Sequence, residues 1–196
     1  MKLIIATRNK DKLHEIKSIL SEVGDYEFLS LLDFSDVPEI NEDRLTYAGN
    51  AIKKASIIAK LKGIPAIADD SGLEVDVLNG APGIMSARFA GANADYEDNN
   101  RKLLELLKDV PQEKRSARFQ CAMAFVHPSG WIEVTTGTYE GVIISEPRGN
   151  NGFGYDPIFY APRLGRTFAE LTRDEKNQIS HRRVALEKMK RILPYL

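Results

Sequence analysis

A chain of 196 residues, 43% hydrophobic and 28% charged, is long enough for one compact core, with room for two lobes that share it. Lys and Arg (27) nearly balance Asp and Glu (28); that argues against a grip on polymeric nucleic acid, which scales with the phosphates neutralised, but allows a small anion in a local basic pocket. No run approaches the roughly 18 apolar residues that span a bilayer, so no membrane role is expected.

Lys2 to Ala6 reads as a buried strand, and Asn9 can cap a helix with Leu13, Ile16 and Leu20 on one face. Tyr26 to Leu32 reads as a second strand. Leu45 to Lys62 reads as a helix whose stripe is Ala48, Ala51, Ile52, Ala55 and Ala59, with Lys53, Lys54 and Lys60 largely solvated and Gly63 at its end. Ile64 to Ala68 is a short apolar strand expected to break at Asp69-Asp70-Ser71-Gly72, with Leu73 to Val77 as another extended piece. Gly80 to Gly83 is a loop, and Asp95 to Lys108 a helix with Leu103, Leu106 and Leu107 inward. Ala117 to Val126 and Trp131 to Tyr139 flank His127-Pro128-Ser129-Gly130 as a hairpin, with Cys121 as a small core hydrophobe. One final helix starts at Thr172, with Glu175 completing a capping box, and carries Leu186, Met189 and Leu193 inward until Pro194. The pattern is α/β: a mixed sheet flanked by helices, in one domain over residues 1–196. Cys121 is the sole cysteine, and Met1-Lys2 leads directly into an apolar strand, so a cytoplasmic protein is expected.

Four segments carry chemistry. Thr7-Arg8-Asn9-Lys10-Asp11-Lys12 lies between a strand and a helix, where free N–H groups and the helix dipole can meet a phosphate; a plain cap with solvated lysines fits the segment equally well. Asp69 and Asp70 follow an apolar strand and can hold Mg²⁺, which takes about six oxygens, several of them from water or substrate phosphate. The alternative is a turn in which Gly72 takes a positive φ. Glu39 and Glu42, in the loop before the second helix, are candidates for a further metal oxygen. Phe153, set between Gly152 and Gly154 and followed by Tyr155 and Asp156, suits a ring that stacks on a base, although a glycine-rich turn is the simpler account. Lys176, Ser180, His181 and Arg182 supply cations and donors, or else a solvated helical face.

The order and wording of these segments resemble the inosine triphosphate pyrophosphatase family over nearly the whole chain. The likeness lies in Thr7-x-Asn9-x-x-Lys12-x-x-Glu15, Ile67-Ala68-Asp69-Asp70-Ser71-Gly72-Leu73, Gly80-Ala81-Pro82-Gly83 with Ser86-Ala87-Arg88, Gly152-Phe153-Gly154-Tyr155-Asp156-Pro157, and Glu175-Lys176-Asn177-x-x-Ser180-His181-Arg182. Gly49 departs from the pattern, where such sequences often carry Glu.

The resemblance implies hydrolysis of non-standard purine nucleoside triphosphates (ITP, dITP, XTP) to monophosphate and pyrophosphate, a house-cleaning of the nucleotide pool. It implies Thr7, Arg8, Asn9, Lys10, Asp11 and Lys12 on the triphosphate, with Asp70 as general base and Mg²⁺ ligand, aided by Glu39 or, as second choice, Glu42. It further implies Ser71, Phe153, Gly154, Tyr155, Asp156, Lys176, His181 and Arg182 around the nucleotide. An elongated mixed sheet in two lobes with a central cleft and a homodimeric assembly also follow from it. Hypoxanthine and xanthine carry an O6 acceptor where adenine has an amino donor, so donors from His181, Arg182 or backbone N–H groups would discriminate. A pyrophosphatase for other nucleotides and a nucleotide sensor without turnover are the competing readings.

Overall fold

The computed structural model describes residues 1–21 and 26–193. Its strands are β1 (Lys2–Ile5), β2 (Glu27–Ser30), β3 (Ala66–Val75), β4 (Ser116–Val126), β5 (Ile132–Ile143), β6 (Phe159–Ala161) and β7 (Arg166–Thr167). Its helices are α1 (Lys10–Leu20), α2 (Tyr47–Lys62), α3 (Tyr96–Leu107), α4 (Arg173–Ile179) and α5 (His181–Lys190). The strands join one sheet in the order β2-β1-β3-β4-β5-β6-β7. β1 is parallel to β2 and β3, with Ile4 opposite both Leu29 and Ala66, whereas β6 is antiparallel to β5 and β7. The expected α/β class with a mixed, helix-flanked sheet is therefore what forms.

The chain divides into two compact units: residues 1–70, 121–137 and 181–196, and residues 71–120 and 138–180. Alternation along the strands builds the first. Leu3 and Ile5 of β1, Ile67 of β3 and Cys121, Met123 and Phe125 of β4 share a cluster with Ile16, Ile19 and Leu20 of α1 and Ala185, Leu186 and Met189 of α5. The intervening residues Ile4, Ala66, Ala68, Ala124 and Val126 cluster instead with Ala51, Ala55, Ile58 and Ala59 of α2. Successive strand residues point to opposite faces, so α1 and α5 cover one side and α2 the other. In the second unit, Leu73, Val75, Leu103, Leu107 and Ile143 pack with Phe119, Phe159 and Phe168, whose rings stand 4.5 to 5.7 Å apart.

Local signals are where the sequence places them. Asn9 caps α1, Thr46 caps α2, Gly63 closes α2 with a φ of 63°, and Thr172 and Glu175 form their capping box. Several elements differ. β3 is a single ten-residue strand running through Asp69-Asp70-Ser71-Gly72, because long-range partners, Arg182 for Asp69 and Asn50 for Asp70, hold the two carboxylates on opposite faces of an extended backbone. The second strand is confined to β2, and Leu31–Asp33 turns as 3₁₀ under the Ser30 cap. Leu106 is 49% exposed, since Leu103 and Leu107, four apart, already define the buried face of α3. Leu45 is exposed outside α2.

The single C-terminal helix is instead two. Ser180 is extended (φ −61°, ψ 158°) and its N–H closes α4 on the Lys176 carbonyl at 2.9 Å. α5 then starts at His181, against β5: a Cβ on Gly137 would stand 2.1 Å from the His181 oxygen and 2.5 Å from the Ala185 nitrogen, so only glycine permits this approach. Leu193 is buried as expected, and Pro194 lies outside the described residues.

Candidate active site

In the first unit the site begins at the start of α1. The Asn9 side chain accepts from the N–H groups of Asp11 (2.9 Å) and Lys12 (3.1 Å), and Thr7 Oγ1 accepts from Asn9 N (3.2 Å). The helix start is thus ordered, with Lys10 exposed beside it. Arg8 donates to the Val37 carbonyl, tying this turn to the loop that carries Glu39 and Glu42. One turn into α1, Lys12 Nζ reaches Asp69 Oδ2 at 3.0 Å.

Asp69 shares the side of β3 that α1 and α5 cover. Its Oδ2 also accepts from Arg182 Nη2 (3.0 Å) and Nε (3.3 Å), while Arg182 Nη1 donates to Glu15. Lys12, Asp69, Arg182 and Glu15 form an alternating chain of charges in which Arg182 is fully buried. Burial alone would raise the Asp69 carboxyl, but Lys12 and Arg182 override it and hold the group well below the usual carboxylate range. Desolvation works likewise against the Lys12 ammonium, yet Asp69 and Asp70 raise it above the ordinary lysine value.

Asp70 lies on the opposite side, towards α2. Its Oδ2 accepts from Asn50 Nδ2 at 2.9 Å. Burial pushes its carboxyl above the usual range, Lys54 and Lys12 pull it down, and the charge of Glu42 adds to the rise. The two neighbouring carboxyls are therefore driven in opposite directions, the arrangement that separates a fixed charge from a proton acceptor.

Lys54 is not the solvated residue expected of it. Its side chain is 12% exposed and its ammonium donates to Glu42 and to the Asp69 carbonyl. Lys53 anchors the same loop through Asn41 O and Asp43, each at 2.8 Å. The sequence held a signal for Lys54, which stands four residues after Asn50 and so shares its helical edge. Of the loop carboxylates, Glu42 is the one whose charge acts on Asp70, whereas Glu39 is exposed. Among the described residues no three of His, Cys, Asp and Glu converge as a metal cluster.

In the second unit, Gly152 takes a φ of 75°, and a Cβ there would stand 2.0 Å from the Asp156 carboxylate. That carboxylate accepts the Phe153 N–H at 2.8 Å and the ammonium of Lys176, a buried pair. Lys176 Nζ also lies 4.3 Å from the centre of the Phe153 ring, and the Tyr96 ring lies 6.1 Å from it. Tyr155 is buried and donates to the Ser86 carbonyl at 2.9 Å, and Asn100 donates to the Gly154 carbonyl at 3.0 Å. Ser71, at the start of this unit, is half-buried in β3. His181 belongs to the first unit and is 4% exposed.

A model of the Ham1 family matches residues 3–192 of the chain. A dITP/XTP pyrophosphatase of Desulforamulus reducens is 52% identical over 193 residues, covering 98% of this chain and 96% of the relative. One from Geobacter sulfurreducens is 50% identical over 189 residues, covering 96% and 94%. Among solved structures, a HAM1 protein from Coxiella burnetii is 43% identical, with a TM-score of 0.90 and both chains fully covered.

Proposed function

The chain belongs to the Ham1 family, and we propose that it hydrolyses non-standard purine nucleoside triphosphates, dITP, ITP and XTP, to the monophosphate and pyrophosphate. The observation that carries this reading is the pair on β3: Asp69 ionised between Lys12 and Arg182, and Asp70 beside it with a raised pKa. A raised carboxyl takes a proton more readily near neutral pH than an ordinary one. In the step we assign to it, Asp70 accepts the proton of a water as its oxygen bonds to phosphorus. The anhydride P–O bond between the α and β phosphates breaks, and the displaced group departs with that electron pair: pyrophosphate for attack at the α-phosphorus, the monophosphate for attack at the β-phosphorus. Lys12 and Lys54 place positive charge where negative charge gathers, the dominant contribution in phosphoryl transfer.

A hard divalent cation, Mg²⁺, fits the residues present. Asp70 and Glu42 offer carboxylate oxygens from one neighbourhood, and this ion is ordinarily held by one or two carboxylates plus water and substrate phosphates. Bound there, it would polarise phosphate oxygens. We assign Glu42 rather than Glu39 to it, on the electrostatic coupling to Asp70. Asp69 is assigned a different duty, because its Oδ2 already meets two cations.

The second unit supports recognition of a base. The Phe153 ring offers a stacking surface, and Lys176 and Asp156 hold the turn that presents it. Arg182 directs all three of its nitrogens at Asp69 and Glu15, so we assign the donors facing O6 of the base to backbone N–H groups. Both units form one domain in this reading, supported by β3, β4 and β5, each of which contributes residues to both. A homodimer in the cytoplasm is proposed on the resemblance of the motifs; no helix among the described residues is long and apolar enough to cross a membrane. The test is product analysis with ITP and Mg²⁺. IMP with pyrophosphate is expected, IDP with phosphate would refute the cleavage position, and a screen of triphosphates would expose a preference for another base.

A further inference from the structure

Tyr96 opens α3, and both halves of a capping box fix the chain there: Asp95 Oδ1 accepts the Asp98 N–H at 2.8 Å, and Asp98 Oδ2 accepts the Asp95 N–H at 3.3 Å. Asn100, four residues on and so on the same helical edge, donates to the Gly154 carbonyl. The helix thus meets the glycine turn twice, through Asn100 on its backbone and through the Tyr96 ring beside that of Phe153. The two rings stand 6.1 Å apart and 42° from parallel, so they form an open wedge and not a closed stack. Packing alone does not account for an aromatic at this position. Tyr96 is 44% exposed and Phe153 half-buried, so the pair leaves ring area in water. The first turn of a helix favours carboxylates such as Glu97 and Asp98, and a tyrosine there gains nothing from the dipole. No described atom lies within 4 Å of where a Cβ on Gly154 would stand, so the turn is open next to Phe153.

We infer that Tyr96 is a further base-binding residue: a purine stacked on Phe153 also lies against the Tyr96 ring, which covers part of the bicycle that a single phenyl ring leaves bare. Base stacking on aromatic side chains is additive apolar contact, so a second ring raises affinity for a bicyclic base without any change at the phosphates. The inference rests on Phe153 being the stacking residue, as proposed above.

The experiment measures ITP hydrolysis with Mg²⁺, alongside inhibition by inorganic tripolyphosphate, which carries the charge but no base. Tyr96→Ala should raise KM for ITP on the order of 10-fold, the scale of one aromatic contact, with kcat little changed and the tripolyphosphate inhibition constant unmoved. Tyr96→Phe should keep the parent KM, because the ring makes the contact. In a Phe153→Ala background Tyr96→Ala should raise KM again. No further rise there would reduce Tyr96 to a support for Phe153 and overturn the inference. An unchanged KM in Tyr96→Ala would overturn it too, as would an equal weakening of ITP and tripolyphosphate, the mark of a general disturbance of the fold. A parent chain that releases no pyrophosphate would overturn the functional reading and this inference with it; an active parent with an equally active Tyr96→Ala at low ITP overturns only the role of Tyr96.

Discussion

Asp69 and Asp70 are consecutive in β3 and face opposite sides of the sheet, Asp69 towards Lys12 and Arg182 and Asp70 towards Asn50. One residue of alternation thus gives two adjacent carboxylates unlike neighbours and unlike acidities.

Their isosteric amides should therefore fail differently. Asp70→Asn keeps the shape and its contact with Asn50, so the fold should persist while turnover falls about 10²–10⁴-fold with the loss of the proton acceptor. Asp69→Asn leaves Lys12 and Arg182 facing each other without the charge between them, and breaking such a buried pair costs about 3–5 kcal/mol. Thermal melts alongside pyrophosphate release separate the two; equal stability of both variants would contradict the burial pattern.

The pH dependence of stability follows with opposite signs. The folded-state pKa of Asp69 is lowered, so its contribution is full above the unfolded value of about 3.9 and drains away as pH falls below that towards the folded value. Asp70 is raised, so the fold holds its proton more tightly and the contribution is lost as pH rises from the unfolded value through the folded one. Denaturant titrations across the acid range should show the parent losing stability on acidification more steeply than Asp69→Asn. Parallel curves would place the ion pair elsewhere.

Lys54→Met retains the stem and removes the charge that Glu42 and the Asp69 carbonyl receive. Turnover should drop on the order of 10²-fold, as for other preorganised donors, while Lys53 still ties the loop to α2. Steady-state kinetics at saturating Mg²⁺ check this, and Lys60→Met, on the exposed side of the same helix, serves as the control expected to be silent.

Phe153→Ala should remove stacking worth about 1–3 kcal/mol and raise KM for every base alike, leaving the preference for ITP over ATP intact. Arg182→Ala should show itself as instability, since the guanidinium is fully buried between Asp69 and Glu15. A stable Arg182→Ala protein with narrowed base preference would return that residue to the base.

Cys121 is 2% exposed and burial pushes its thiol up to about 12, which leaves almost no thiolate to react. Thiol labelling should be slow in the native protein, fast in denaturant and without effect on turnover.

The sequence by itself determined what is encoded within a few residues of itself. The Asn9 cap, the Thr172–Glu175 box and the Gly63 terminus were legible because each is a hydrogen bond or backbone conformation confined to about one turn. The apolar spacing of β1, α1 and α2 was legible for the same reason. The motif segments were legible as chemistry, but not as assignments of one duty to each residue. Tertiary structure alone decided that β3 would run through Asp69 and Asp70 and not turn, that Lys54 would leave solvent for Glu42, and that the last helix would break at Ser180. It also drew Arg182 into the core with Asp69, 113 residues away, and Glu15, 167 away. A charged side chain reads as surface in a linear sequence because burial is costly without a partner. Whether that partner arrives is settled only when distant strands and helices pack.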